Sequence, residues 1–133
     1  MAEVASQPNS FHHLYPSEAT LKEKIEAIAT KLYGADGVDY TPLASRQLDG
    51  YEKNGFGNLP VCLAKTHLSL SHDPTLKGAP TGFRLPVREV RASVGAGFIY
   101  PICGDMRTMP GLASKPAAIS IDLDENGDIV GLY

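Results

Sequence analysis

Four apolar residues set the first regular pattern in the chain. Leu21, Ile25, Ile28 and Leu32 recur at intervals of four, three and four, which lines one side of an α-helix. The pattern predicts a helix over 17–33. Ser17 follows Pro16 and is a natural N-cap. Glu18 and Lys31 fall at the ends that suit the helix dipole. Gly34 can close the helix in the left-handed conformation. A second helix is predicted with Thr41 as cap and Pro42 at its first position. Leu43, Leu48 and Tyr51 supply its buried side, and Asn54 with Gly55 ends it.

After residue 58 the pattern shifts to short apolar runs punctuated by Gly and Pro. Residues 59–64 read as a buried strand that empties into Lys65 and then a loop rich in Thr, Ser and His. In 83–94, Val87, Val90 and Val94 alternate loosely with polar residues. That suits a strand, with a helix over 87–93 as the alternative. Residues 97–103 (GFIYPIC) form another strand pattern, with Pro101 pointing to an edge or a bulge. Residues 104–116 read as a loop. The closing ISIDLDENGDIVGLY holds two alternating runs around Asn126-Gly127, a hairpin signature. The predicted class is α/β: two N-terminal helices, then strands, turns and a C-terminal β-hairpin. One βα alternation is too few for a complete doubly wound domain, so the chain reads as the last part of something larger. Residues 1–10 read as a disordered or unrelated tail.

Composition narrows the partners. The 133 residues are 43% hydrophobic and 20% charged, with net charge −3, as expected of one globular domain. The 12 Lys and Arg are scattered, and no basic face for nucleic acid emerges. No apolar run approaches the ~20 residues of a membrane span. The start, MAEVASQPNS, has neither the basic nor the apolar region of a secretory signal. Cys62 and Cys103 both sit in apolar runs and read as small buried hydrophobes.

Several motifs resemble known chemistry and fall short of it. Residues 122–129 (DLDENGDI) match the first eight positions of a calcium loop, but the twelfth ligand falls on Tyr133 and no helix is predicted before Asp122. A hairpin turn is the simpler reading. Gly95 and Gly97 flank Ala96, but the third glycine of a dinucleotide fingerprint is Tyr100. The choice there is a tight turn or close backbone approach to a ligand. Lys65-Thr66 lacks the glycines of a phosphate loop. Lys65 at a strand end can still hold a phosphate or carboxylate, since ligands gather beyond the carboxyl ends of strands. A solvated Lys is the alternative. His67 and His72, five apart and next to Asp73, meet no zinc spacing, so no metal site is assigned.

Taken together, the segments resemble the C-terminal part of formate–tetrahydrofolate ligase, or 10-formyltetrahydrofolate synthetase. The resemblance runs from Phe11 to Tyr133 through KEKIEAIATKLYGADGV, GFGNLPVCLAKTHLSLSHDP, PTGFRLPVREVRASVGAGF, GDMRTMPGL and IDLDENGDIVGLY. THLSLSHDP and RASVGAGFIYP look eukaryotic, as in the trifunctional one-carbon tetrahydrofolate synthase, where bacterial members more often read TQYSLSDDP and RLSAGAGF. Tyr133 stands where the family commonly has Phe. The resemblance implies a larger P-loop-type α/β enzyme that joins formate to tetrahydrofolate with ATP and magnesium, through formyl phosphate. It implies a homo-oligomer in the cytoplasm, with mitochondria as the alternative, and the remaining ligase domains as partners. The family's phosphate loop and pterin-stacking aromatic residues lie upstream of the matching region, so this chain is expected to supply at most a wall of the site. The candidates for it are Lys65, Thr66, Thr81, Gly82, Gly95 and Gly97, with no catalytic role transferred to any. On its own the chain is expected to be inactive. The rival reading is a truncated product acting as a non-catalytic interaction module.

Overall fold

The structure, a computed structural model, describes residues 11–106 and 114–132. The proposed tail, the middle of the 104–116 loop and Tyr133 lie outside them.

Helix α1 spans Leu21–Ala27 and continues as a wider π-helical turn over Ile28–Leu32. It starts three residues later than the Ser17 cap predicts, with Thr20 as the cap. Thr20 and Glu23 form a capping box: the Thr20 hydroxyl accepts from the Glu23 amide, and the Thr20 amide donates to Glu23 Oε2 at 2.8 Å. That reciprocal pair satisfies two amide donors, whereas Ser17 bonds only to Glu18. Leu21, Ile25 and Ile28 are buried as predicted, but Leu32 is 58% exposed. A π turn advances fewer degrees per residue than an α turn, so it swings Leu32 off the stripe and buries Ala29 instead.

Strand β1 (Gly37–Tyr40) leads directly into helix α2 (Pro42–Lys53). Thr41 caps α2 by accepting from the Ala44 amide, and Gly55 lies at φ 83° beyond Asn54, as the sequence predicts. The buried side is Ala44 and Leu48, with Tyr51 half-buried and Leu43 exposed. Leu43 is five residues from Leu48, about 140° away around the helix.

The 83–94 run divides into β2 (Arg84–Val87) and β3 (Glu89–Ser93), and no helix forms over 87–93. β2 pairs in parallel with β1, in register Val38 with Leu85. β3 pairs antiparallel with β4 (Phe98–Ile102). The 59–64 segment adds to the other side of β4 by parallel bridges, Val61 to Ile99 and Ala64 to Ile102. It is a half-buried edge, not the buried strand expected, and Cys62 is exposed. Pro101 explains its broken ladder. Ile99 and Cys103 donate across this seam to Pro60 and Ala64, and the same register aims position 101 at the Cys62 carbonyl. Proline has no amide hydrogen to give there. Pro101 is thus buried inside a three-strand arrangement, at the one rung left open, rather than on an outer edge.

The core joins α1, α2 and the strands through Leu21, Ile25, Leu48, Leu85, Val87, Val90 and Ile99. Lys24, which borders the apolar stripe three residues after Leu21 and four before Ile28, is fully buried. Its ammonium donates to the carbonyls of Gly57 at 2.7 Å and Leu59 at 3.2 Å, which fixes the entry to the 59–64 edge. The end of the chain forms a hairpin, β5 (Asp122–Leu123) with β6 (Ile129–Val130). Asp124 Oδ1 accepts from the amides of Asn126 and Asp128, as in an Asx turn.

Candidate functional site

Strand direction decides where the candidates lie. The 61–64 edge and β4 run parallel, so their carboxyl ends fall together at Lys65 and Gly104. β2 ends nearby at Arg88, whose amide donates to Ile102 at the end of β4. These three ends border a cleft of about 600 Å³ that also takes in Thr66, His72 and Asp105. The remaining candidates lie elsewhere. Thr81 and Gly82 precede the amino end of β2, exposed. Gly95 and Gly97 form the turn between β3 and β4, at the amino end of β4. Gly97 has φ 75° and its amide closes the turn on Ser93 at 2.8 Å. A side chain added at either glycine would meet nothing within 4 Å. The geometry there is that of a tight turn.

The loop from Thr66 to Gly78 forms one wall of the cleft. The Leu70 amide donates to the Gly78 carbonyl at 2.8 Å, and the Gly78 amide donates to the Leu68 carbonyl at 3.1 Å. Inside the loop the buried hydroxyls of Ser69 and Ser71 lie 2.8 Å apart, and Ser71 Oγ accepts from the Asp73 amide. The Ser-Leu-Ser-His-Asp run thus serves a compact loop core. Lys65 fastens this loop to the sheet. Its ammonium donates to the carbonyls of Thr66 and Ser69 and sits 4.7 Å from the Tyr33 ring centroid. Burial pushes its pKa down. The amine is neither loosely solvated nor free in the cleft.

Arg88 provides the second cation. It pairs with Asp105 at 2.5 Å, with both side chains largely exposed. Arg88 is not among the residues singled out from the sequence, although a basic residue at the break between two apolar runs follows the same strand-end logic as Lys65. His72 carries a further signal: its Nδ1 is buried and has no hydrogen-bond partner. At Gly104, φ is 133° and an added Cβ would come within 3.4 Å of the His72 carbonyl, so the two walls approach closely there. Below the cleft the buried Cys103 thiol is pushed up to about 12 by burial, which leaves it a poor nucleophile. Among the described residues, no three His, Cys, Asp or Glu side chains converge to hold a metal ion. No helix among them is long and apolar enough to cross a membrane. The cleft offers positive charge, two histidines and two carboxylates that already hold partners, Asp105 with Arg88 and Asp73 with Thr75. That set can orient a polar ligand but contains no activated nucleophile.

Comparison with known proteins identifies the setting. The family described as formate–tetrahydrofolate ligase matches residues 1–133. The formate–tetrahydrofolate ligase of Saccharopolyspora erythraea is 68% identical over 132 residues, covering 99% of this chain and 23% of that protein. Ligase 3 of Rubrobacter xylanophilus is 68% identical over 93% of this chain and 22% of its own length. The Cutibacterium acnes ligase is 63% identical over 92% of this chain, again 22% of its length. These relatives are bacterial, so the eukaryotic likeness expected from THLSLSHDP and RASVGAGFIYP does not hold. Two short motifs weigh little against identity spread over the whole length. The chain spans less than a quarter of the curated relatives it matches. It belongs to the formate–tetrahydrofolate ligase family.

Proposed function

We propose that this chain is the C-terminal portion of a formate–tetrahydrofolate ligase and supplies one wall of its substrate cleft. The whole enzyme phosphorylates formate with ATP. N10 of tetrahydrofolate then attacks the formyl carbon and inorganic phosphate leaves, giving 10-formyltetrahydrofolate. One observation carries the reading: identity of 68% runs through 99% of the chain while covering only 23% of the relative. In this reading the Lys65–Ser69 clasp holds the 66–78 loop in place, and Arg88 adds positive charge at the adjoining strand end. Both favour an anionic group across the cleft. Magnesium belongs to the rest of the enzyme. Asp105 is taken by Arg88 and Asp73 accepts from Thr75, and no group of three His, Cys, Asp or Glu converges among the described residues. The remaining ligase domains are the partners, in a homo-oligomer. The bacterial relatives favour the cytoplasm over mitochondria.

The isolated chain should make no 10-formyltetrahydrofolate from ATP, magnesium, formate and tetrahydrofolate. It contains no G-x-x-x-x-G-K-[ST] sequence and so no such backbone nest for phosphates. A hybrid with this chain in place of the matching segment of the Saccharopolyspora ligase should be active. In that hybrid Lys65→Ala should lower kcat/KM by about tenfold or more, because sub-ångström misplacement of a wall weakens transition-state contacts. A folded but inactive hybrid, or a fully active isolated chain, would refute the proposal.

A further inference from the structure

Every described residue from 117 to 132 is exposed, so β5, its turn and β6 are open to solvent along their length. The two faces of this hairpin differ sharply. Leu123 pairs with Ile129, so their side chains share one face, and alternation puts Ile121 beside them. They are 62%, 61% and 41% exposed. Asp122 pairs with Val130 on the opposite face, together with Asp124 and Asp128. One face is therefore aliphatic and the other mainly acidic. An isolated two-stranded hairpin is marginal in water, and this one keeps a clean binary pattern while its apolar side chains stay exposed among the described residues.

We infer that the Ile121–Leu123–Ile129 face is a docking surface for the remainder of the ligase polypeptide, with the acidic face turned to solvent. This rests on the chain being part of a longer ligase. The size of the patch selects the occupant. Three aliphatic side chains offer a few hundred Å², whereas a free-standing dimer interface buries about 1,200 Å² or more. A second copy would have to associate through too little surface. A segment of the same polypeptide avoids that limit, because tethering supplies an effective concentration of about millimolar. The relatives provide such a segment, since more than three quarters of their length lies outside this match. The acidic face excludes full burial of the hairpin, which would strand several carboxylates without water.

The test compares amide hydrogen exchange in the 133-residue chain and in the Saccharopolyspora hybrid. The amides of Leu123, Ile129 and Val130 should exchange at least tenfold more slowly in the hybrid. Leu123→Ser combined with Ile129→Ser should abolish that protection and lower the hybrid's Tm. It should leave the Tm of the isolated chain unchanged, because both side chains are exposed there. Asp128→Asn, on the acidic face, should leave the protection intact. Equal exchange in the two contexts, with the hybrid active, would overturn the docking and spare the ligase reading. Slow exchange in a folded, inactive hybrid would support the docking and sink the proposed activity. Protection in the isolated chain that rises with its own concentration would assign the face to a second copy and overturn the inference.

Discussion

Single residues show how far local chemistry depends on what packs around it. Cys62 and Cys103 both look like core residues, yet β4 buries Cys103 while the 59–64 edge leaves Cys62 exposed. An edge strand hides one face at most, and the apolar run gave no sign of which element would lie beyond it. Under native conditions a maleimide should label Cys62 and spare Cys103, whose thiol burial holds up to about 12. Labelling of both at one rate, read by mass spectrometry, would contradict the packing. Lys24 teaches the reverse lesson. It lies among charged residues on a helix, but its side chain is fully buried and its ammonium serves two carbonyls. Lys24→Ala leaves those acceptors short of a donor and should cost about 1–3 kcal/mol. Lys24→Met, which keeps the stem, should cost less, and a urea melt of the two variants distinguishes these contributions. The candidate site was half legible on the same terms. Lys65 stands out because a long apolar run ends on it, while Arg88 was hidden inside a run that read as continuous.

Elements with complete local instructions form where the sequence puts them. Thr41, Pro42, Asn54 and Gly55 define α2 at both ends without help from distant residues. The C-terminal hairpin forms where Asn126-Gly127 puts it, though over a three-residue loop with Gly127 at φ 84° instead of a two-residue turn. Elements that depend on long-range partners were not legible. β1 has four residues and is a strand because β2 lies beside it, 47 residues later. At the break, the Arg88 amide bonds to Ile102 at the end of β4, a partner 14 residues away. Helix α1 sits between these cases. Its stripe is local, but Ser17 and Thr20 compete for the start, and the box with Glu23 decides it. The Glu52 carboxylate adds to that choice by accepting from the Leu21 amide at 2.8 Å, which ties the first turn of α1 to the last turn of α2. Thr20→Ala should therefore destabilise the chain by about 1 kcal/mol, and Ser17→Ala should be close to silent. Equal losses in chemical denaturation would restore Ser17 as the cap.

For the molecule as a whole, the carboxylates fix the response to acid. Glu18, Glu23, Asp39, Asp73, Glu89 and Asp124 all have pKa values below their ordinary range. The causes fall into two groups. Arg84 and Arg91 donate to Asp39 and Glu89, whereas nearby hydroxyl and amide donors hold the other four. In each case the folded chain holds its proton less tightly than the unfolded one. The unfolded state then binds more protons below about pH 4, and stability must fall as pH drops through the folded values. Four of the six are exposed and Asp73 and Glu89 are only half-buried, so no single one dominates, and the loss should be gradual instead of one sharp step. Salt separates the two causes. High ionic strength screens the paired guanidinium charges but leaves short hydrogen bonds from neighbouring donors largely intact. Melting temperatures between pH 7 and pH 2.5, at low and high sodium chloride, should fall on acidification in both series. The fall should be smaller at high salt, and Arg84→Gln should bring the low-salt series toward the high-salt one. A melting temperature that stays level down to pH 2.5 would mean that these hydrogen bonds persist in the unfolded chain and contribute nothing to the fold.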